Sequence, residues 1–145
     1  MKELIDEMKV GLSTVFAFYL KAHYFHWNVE GPNFAQYHDF LGELYAEVFG
    51  SVDLFAEQLR ALGSYTPGSL ERFKELSKVE DETNVPGATA MIRQLMLDNE
   101  IVIDQLNKIN KLADDNNKKG LTNFIEGRLD IHSKHAWMLK SFLKG

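Results

Sequence analysis

Four long stretches of this chain carry apolar residues at spacings of three and four, the period of an amphipathic α-helix. They predict helices over about residues 2–28, 33–62, 86–113 and 121–143. A turn containing Gly31 and Pro32 separates the first two helices, and the polar run 114–120 separates the last two. No stretch alternates as a strand would. A chain of four long amphipathic helices buries its apolar stripes by packing them against one another.

The connection between the second and third helices is much longer than the other two. Residues 63–86 contain a short apolar pattern behind Ser69, which predicts a short helix capped by that serine inside a long crossover. Connections that are short, long and short predict an all-α, up-down-down-up four-helix bundle. A single long crossover of this kind is the arrangement of ferritin-like proteins.

Composition limits the classes of protein that this chain can be. Its 145 residues, 45% of them apolar, predict a single domain over 1–145. The net charge of -5 repels phosphate backbones and argues against DNA binding. The chain contains no Cys, so a transition metal would be held by His, Asp and Glu. Neither a signal peptide nor a membrane span is indicated, and we expect a cytoplasmic protein.

Three of the five histidines lie close together in sequence. His23 and His26 fall near the end of the first helix, with Trp27 directly after them, and His38 lies one turn into the second helix. A short loop between the helices can bring His26 and His38 to one spot. Each of them alone is more often a structural histidine, but the pair makes a candidate nitrogen ligand set.

Asp53 and Glu57 form a second candidate ligand pair. They are four residues apart, so both carboxylates project from one face of the second helix, beside apolar positions. The alternative is an ordinary solvated helix face, which is the commoner meaning of such a pair. His38 and Asp53 are separated by about 22 Å along one helix. If the histidines and the acids share a metal, two antiparallel copies of this helix must meet across a two-fold axis.

Several segments resemble the Dps family (DNA protection during starvation), a group of ferritin-like mini-ferritins. They are His26-Trp27-Asn28-Val29-Glu30-Gly31-Pro32-Asn33-Phe34, then His38, then the run from Asp53 to Gly63, and Lys134-His135-Ala136-Trp137-Met138-Leu139 in the last helix. The resemblance extends over essentially the whole chain. It implies a hollow shell of twelve subunits with a ferroxidase centre between two-fold related subunits.

Carried onto this chain, the resemblance makes His26 and His38 iron ligands from one subunit. Asp53 and Glu57 become ligands from its partner, and Trp27 an adjacent electron donor. It implies oxidation of Fe(II), preferentially by hydrogen peroxide, and storage of the Fe(III) product as mineral inside the shell. The partners are then further copies of the chain, iron and peroxide. DNA binding is expected to be weak or absent, because no Lys-rich terminal tail is seen.

The chain departs from the family pattern one helical turn after His38. The family usually has an Asp there, and this chain has Gly42. A water molecule, Asp39 or Glu43 could replace the missing ligand, or the second iron position could be weak. An alternative function is therefore a DNA-protecting or structural shell with a weakened ferroxidase centre.

Two further sequence observations bear on function. Asp39, Glu43 and Glu47 recur every four residues and form an acidic stripe, which either gathers iron ions in a cavity or is an ordinary solvated face. No Glu lies three residues before any His, which argues against the intrabundle iron site of the larger ferritins and the haem-binding relatives.

Overall fold

The computed structural model describes all residues from 1 to 145 and contains five helices and no strand. The helices are α1 (Lys2–Asn28), α2 (Phe34–Ala61), α3 (Leu70–Leu76), α4 (Ala88–Asp115) and α5 (Lys119–Phe142). The four long helices and the short helix in the crossover confirm the all-α fold predicted from the apolar periodicity. Helix α4 begins two residues later than Pro86, because Gly87 is its N-cap.

Local sequence sets the ends of these helices. The turn between α1 and α2 places Gly31 at φ 99° and Asn33 at φ 64°, left-handed conformations that Gly and Asn adopt most readily. Ser69 caps α3 as predicted, since its hydroxyl accepts a hydrogen bond from the Arg72 backbone N–H at 3.2 Å. Gly63, at φ 90°, follows the end of α2.

Contacts between distant residues establish the direction of each helix. Between α1 and α4, Glu7 pairs with Lys108 and Lys21 pairs with Asp98, so these helices run antiparallel. Between α2 and α5, Phe40 meets Phe142 and Phe55 meets Phe124, so these run antiparallel as well. Together with the short α1–α2 and α4–α5 connections, these contacts give the up-down-down-up order.

A single cluster of 25 buried apolar residues fills the space between the four long helices. Helix α4 contributes the stripe expected from its sequence: Ile92, Leu95, Val102, Leu106, Ile109 and Ala113. Helix α5 differs from the expected stripe. Its buried face comprises Leu121, Ile125, Arg128, His132, His135 and Leu139, whereas Leu129, Ala136 and Leu143 are only partly buried. Three polar side chains thus occupy the middle of an otherwise apolar stripe.

Candidate metal centre

His26 and His38 meet where the short turn joins α1 to α2. Their rings stack with centroids 3.8 Å apart and planes 17° from parallel. His26 Nδ1 lies 2.8 Å from the His38 carbonyl oxygen, and His38 Nδ1 lies 2.9 Å from the His26 carbonyl oxygen. Because a carbonyl oxygen can only accept, both Nδ1 atoms carry the proton and donate. Nε2 is therefore the ring nitrogen that each histidine leaves free of these hydrogen bonds and can present to a metal ion.

The third histidine of the sequence cluster has different partners. The His23 ring stacks on Tyr45 at 3.7 Å and packs against Trp27 at 4.0 Å. The Tyr19 hydroxyl lies 3.0 Å from His23 Nδ1. Burial, with a smaller contribution from His26, lowers the pKa of His23. His23 therefore belongs to an aromatic stack that connects Trp27 to the histidine pair.

Gly42 lies directly beneath the His26 ring. A Cβ atom built at this position would come 3.1 Å from His26 Cε1 and 3.3 Å from His26 Nδ1. Both distances are tighter than an ordinary van der Waals contact, so any side chain at position 42 displaces the His26 ring. An Asp at position 42, which the resemblance leads us to expect, would therefore require the His26 ring to move by a few tenths of an ångström.

Asp53 and Glu57 lie farther along α2 and are both exposed. Within one chain, no group of three His, Asp or Glu side chains is arranged to hold a metal ion. One subunit therefore presents a histidine pair near the start of α2 and a carboxylate pair toward its end, with His38 and Asp53 on one continuous helix. Trp27, beside the histidine pair, is 61% exposed.

A second group of polar residues lies inside the bundle, and we call it the internal cluster: Glu47, Asn99, Arg128, His132 and His135. Arg128 donates two hydrogen bonds to the Glu47 carboxylate, at 2.6 and 2.9 Å. His135 Nε2 lies 2.8 Å from Glu47 Oε1. A carboxylate on α2 thus holds two side chains of α5.

Asn99 extends the internal cluster to α4. Its Nδ2 donates to the His132 carbonyl oxygen at 2.9 Å, which directs its Oδ1 toward His132 Nδ1 at 2.8 Å. His132 Nδ1 therefore carries the ring proton, and Nε2 accepts from Arg128 Nη2 at 3.1 Å. The ring is fully hydrogen bonded in its neutral form, and three helices are tied together at one level of the bundle.

The internal cluster shifts the pKa values of two members. Burial alone would raise the pKa of Glu47, but the hydrogen bonds from His135 and Arg128 outweigh burial and bring it to about 2. Burial, with the nearby charges of Arg128 and His135, lowers the pKa of His132 to about 3. Glu47 is therefore ionised and His132 neutral at physiological pH.

The internal cluster was not predicted from the sequence, and it corrects one expectation. Asp39 and Glu43 are exposed, as in the expected acidic stripe, but Glu47 is bound to Arg128. The detectable signal was the spacing of Arg128, His132 and His135, which continue the apolar stripe of α5 at intervals of four and three. Polar residues in such positions indicate a buried polar network.

The depressed pKa of His132 predicts that acid destabilises the protein. In the unfolded chain His132 binds a proton below about pH 6.5, whereas in the folded protein it binds one only near pH 3. The contribution of neutral His132 to the free energy of unfolding is therefore complete above pH 6.5 and is lost as the pH falls from 6.5 to 3. Near pH 5 we expect His132 to add about 1.4 kcal/mol per pH unit to the slope of the free energy of unfolding against pH. Urea unfolding at pH 7, 6 and 5 measures that slope. A His132→Gln variant with the same slope as wild type would contradict this expectation.

Comparison with known proteins identifies the family. The ferritin-like domain family matches residues 6–145 of this chain. The chain belongs to the ferritin-like family. The crystal structure of Dps from Staphylococcus aureus is similar over 100% of this chain and 97% of that chain, with 30% identity and a TM-score of 0.94. Within the family, the chain therefore groups with the Dps proteins.

Two sequence relatives match most of the chain, and one of them is a DNA protection during starvation protein. The DNA protection during starvation protein of Brevibacillus brevis is 30% identical over 126 residues, 87% of this chain and 85% of that protein. An uncharacterized low temperature-induced protein of Nostoc is 32% identical over 144 residues, 98% of this chain and 80% of that protein. Family membership supports a role in iron storage or protection in general. No helix combines the length and apolarity that crossing a bilayer requires.

Proposed function

We propose that this protein is a ferroxidase that oxidises Fe(II) at a site shared by two subunits and stores the Fe(III) product inside a hollow shell. The single observation that carries the proposal is the His26–His38 pair, whose two Nδ1 atoms donate to backbone carbonyl oxygens and leave Nε2 as the nitrogen that each ring can present to a metal ion. Such outer hydrogen bonds to Nδ1 are typical of metal-binding histidines. Nitrogen and oxygen ligands suit iron, and no thiolate is present to select a softer metal.

Asp53 and Glu57 supply the carboxylates from the partner subunit in this proposal. Their separation from His38 along the continuous helix α2 prevents one subunit from completing the site. Two α2 helices packed antiparallel across a two-fold axis would bring the histidines of each subunit to the acids of the other. This arrangement creates two equivalent sites in each dimer.

The reaction uses iron as substrate and hydrogen peroxide as oxidant. Two Fe(II) ions each lose one electron, and one peroxide molecule accepts both and is reduced to two hydroxide ions. The ligand residues bind and position iron, while Trp27 lies close enough to the site, through the His23 stack, to donate an electron when only one Fe(II) is bound. The proposal places the protein in the cytoplasm, in a shell of twelve subunits, with weak or no DNA binding.

Anaerobic titration of the assembled protein with Fe(II), followed by peroxide, tests the proposed activity. We expect saturable Fe(II) binding, then ferric absorbance that appears faster than in buffer and remains in solution as iron held by the protein. If the protein binds and oxidises no more iron than buffer does, the proposed ferroxidase is wrong. A salt-dependent gel retardation of DNA would then favour the protective shell.

Substituting Gly42 by Ala tests the role of the close contact with His26. We expect Gly42→Ala to weaken Fe(II) binding about tenfold, because the new Cβ displaces the His26 ring by tenths of an ångström. Gly50→Ala is the matched control on the same helix, since a Cβ there meets no atom within 4 Å. Both substitutions favour the helical conformation of α2 by about 1 kcal/mol, so this effect is the same in the two variants. Equal Fe(II) affinities in the two variants would contradict the assigned role of Gly42.

A further inference from the structure

The Arg128 guanidinium occupies a position suited to a metal ion. Its Nη2 atom lies 2.9 Å from Glu47 Oε1 and 3.1 Å from His132 Nε2. It is a cation, it is almost fully buried, and its Nη2 faces a carboxylate oxygen of Glu47 and an imidazole nitrogen of His132. An oxygen and a nitrogen of these types are ligands for divalent transition metals.

The surroundings of His132 already resemble those of a metal-bound histidine. Its Nδ1 proton is fixed by Asn99 Oδ1, and Asn99 is itself fixed by the His132 carbonyl oxygen. This pair of hydrogen bonds orients the ring and fixes its Nδ1 proton, so that Nε2 is the atom that accepts the Arg128 hydrogen bond. Outer hydrogen bonds orient metal-binding histidines in the same way. No rearrangement of His132 is needed to present Nε2 to an ion.

His135 supplies a third ligand atom close by. Its Nε2 lies 2.8 Å from Glu47 Oε1, and its ring centroid lies 5.2 Å from that of His132. In the tautomer of this ring that carries its proton on Nδ1, the Nε2 lone pair faces Glu47. Two histidines and one carboxylate make up a ligand set known for non-haem Fe(II).

We propose that Glu47, His132 and His135 form an internal site for a divalent transition metal, and that the Arg128 side chain closes this site by holding its guanidinium where the ion would lie. Ligand atoms approach such ions to about 2.0–2.2 Å. The guanidinium holds them at hydrogen-bond distances, so no three metal-binding groups converge while Arg128 is in place. Arg128 thereby keeps the interior of each bundle free of metal, independently of the proposed intersubunit site.

The structure also provides space next to the cluster. An open groove of about 540 Å³ runs between α2 and α5 at the surface and is lined by Glu47, Gly50, Gly127 and Arg128 among others. The Glu47 side chain is already 34% exposed, so an ion can reach its carboxylate from this groove. Removing the guanidinium vacates the position between Glu47 and His132.

Cobalt titration of Arg128→Ala tests this proposal. The substitution is made in an Asp53→Ala background, which weakens the proposed intersubunit site, and the Asp53→Ala parent measures the binding that remains there. We expect the metal-free double variant to bind about one more Co(II) per chain than the Asp53→Ala parent, with the visible absorption of Co(II) bound by nitrogen and oxygen ligands. Adding Glu47→Gln is expected to abolish that absorption.

Co(II) uptake by the Arg128 variants decides whether the internal site exists. A folded Arg128→Ala variant that binds no more Co(II) than the Asp53→Ala parent would overturn it. Assembly of the variant only in the presence of Co(II) would support it, because binding would then supply the missing cation. If the variant remains unfolded with or without metal, Arg128→Gln, which keeps hydrogen-bond donors near Glu47, is titrated instead. Lack of Co(II) uptake by folded Arg128→Gln would also overturn the proposal.

Discussion

Replacing Glu47 by Ala is expected to lower the free energy of unfolding by about 3 kcal/mol, because it leaves the Arg128 charge buried without a counter-ion. The carboxylate accepts three hydrogen bonds, two from Arg128 and one from His135. Losing them also leaves the buried His135 Nε2 without its partner. Chemical denaturation of the assembled protein measures the loss.

Glu43 provides the matched control for Glu47. It lies one turn earlier on α2, is exposed and forms no ion pair within the chain, so Glu43→Ala should change stability by less than about 0.5 kcal/mol. Replacing Glu47 and Arg128 together by Met should recover most of the loss, because no unpaired charge remains. Equal effects of Glu47→Ala and Glu43→Ala would show that the internal cluster does not contribute to stability.

Replacing Asp53 by Ala is expected to slow peroxide-driven iron oxidation about 100-fold, because it removes a proposed carboxylate ligand of iron. Asp53 is exposed in the single chain and has no hydrogen-bonding partner there, so its loss should not lower stability. Activity and stability therefore separate in this variant. The same assay on His38→Ala is expected to show a comparable loss.

An exposed acid on a different helix provides the control for Asp53. Asp104→Ala removes the same charge from α4 and is expected to keep the wild-type oxidation rate. Wild-type activity in Asp53→Ala would contradict the proposed ligand set. A similar loss in both variants would indicate that net charge, rather than a ligand, controls the rate.

The fold could be predicted from the sequence because apolar residues recur every three or four positions along each long helix. The stripe of α4 from Ile92 to Ala113 is buried as expected, and Ser69 caps the short crossover helix. Helix α5 was less predictable, because Arg128, His132 and His135 occupy stripe positions without being apolar. A prediction based on apolar residues alone misses these three positions, although their spacing places them on the buried face of the helix.

The candidate site was predictable only in part. The short turn made it clear that His26 and His38 could meet, and the structure brings their rings together. The contact of Gly42 with His26 could not be predicted from the sequence, which shows only that Gly42 supplies no carboxylate ligand. The His26 ring lies 3.1 Å from the place where a Cβ at position 42 would stand, a contact that depends on the packing of α1 against α2. The pairing of Asp53 with the histidines needs a second chain and stays a prediction.

Mixing two inactive variants tests the shared site most directly. His38→Ala subunits retain Asp53 and Glu57, and Asp53→Ala subunits retain both histidines. Each heterodimer then contains one intact site and one that lacks both residues. Co-assembly at equal amounts should restore about a quarter of the wild-type iron oxidation, since about half of the dimers are mixed. Mixed shells that stay as inactive as either parent would contradict an intersubunit ferroxidase centre.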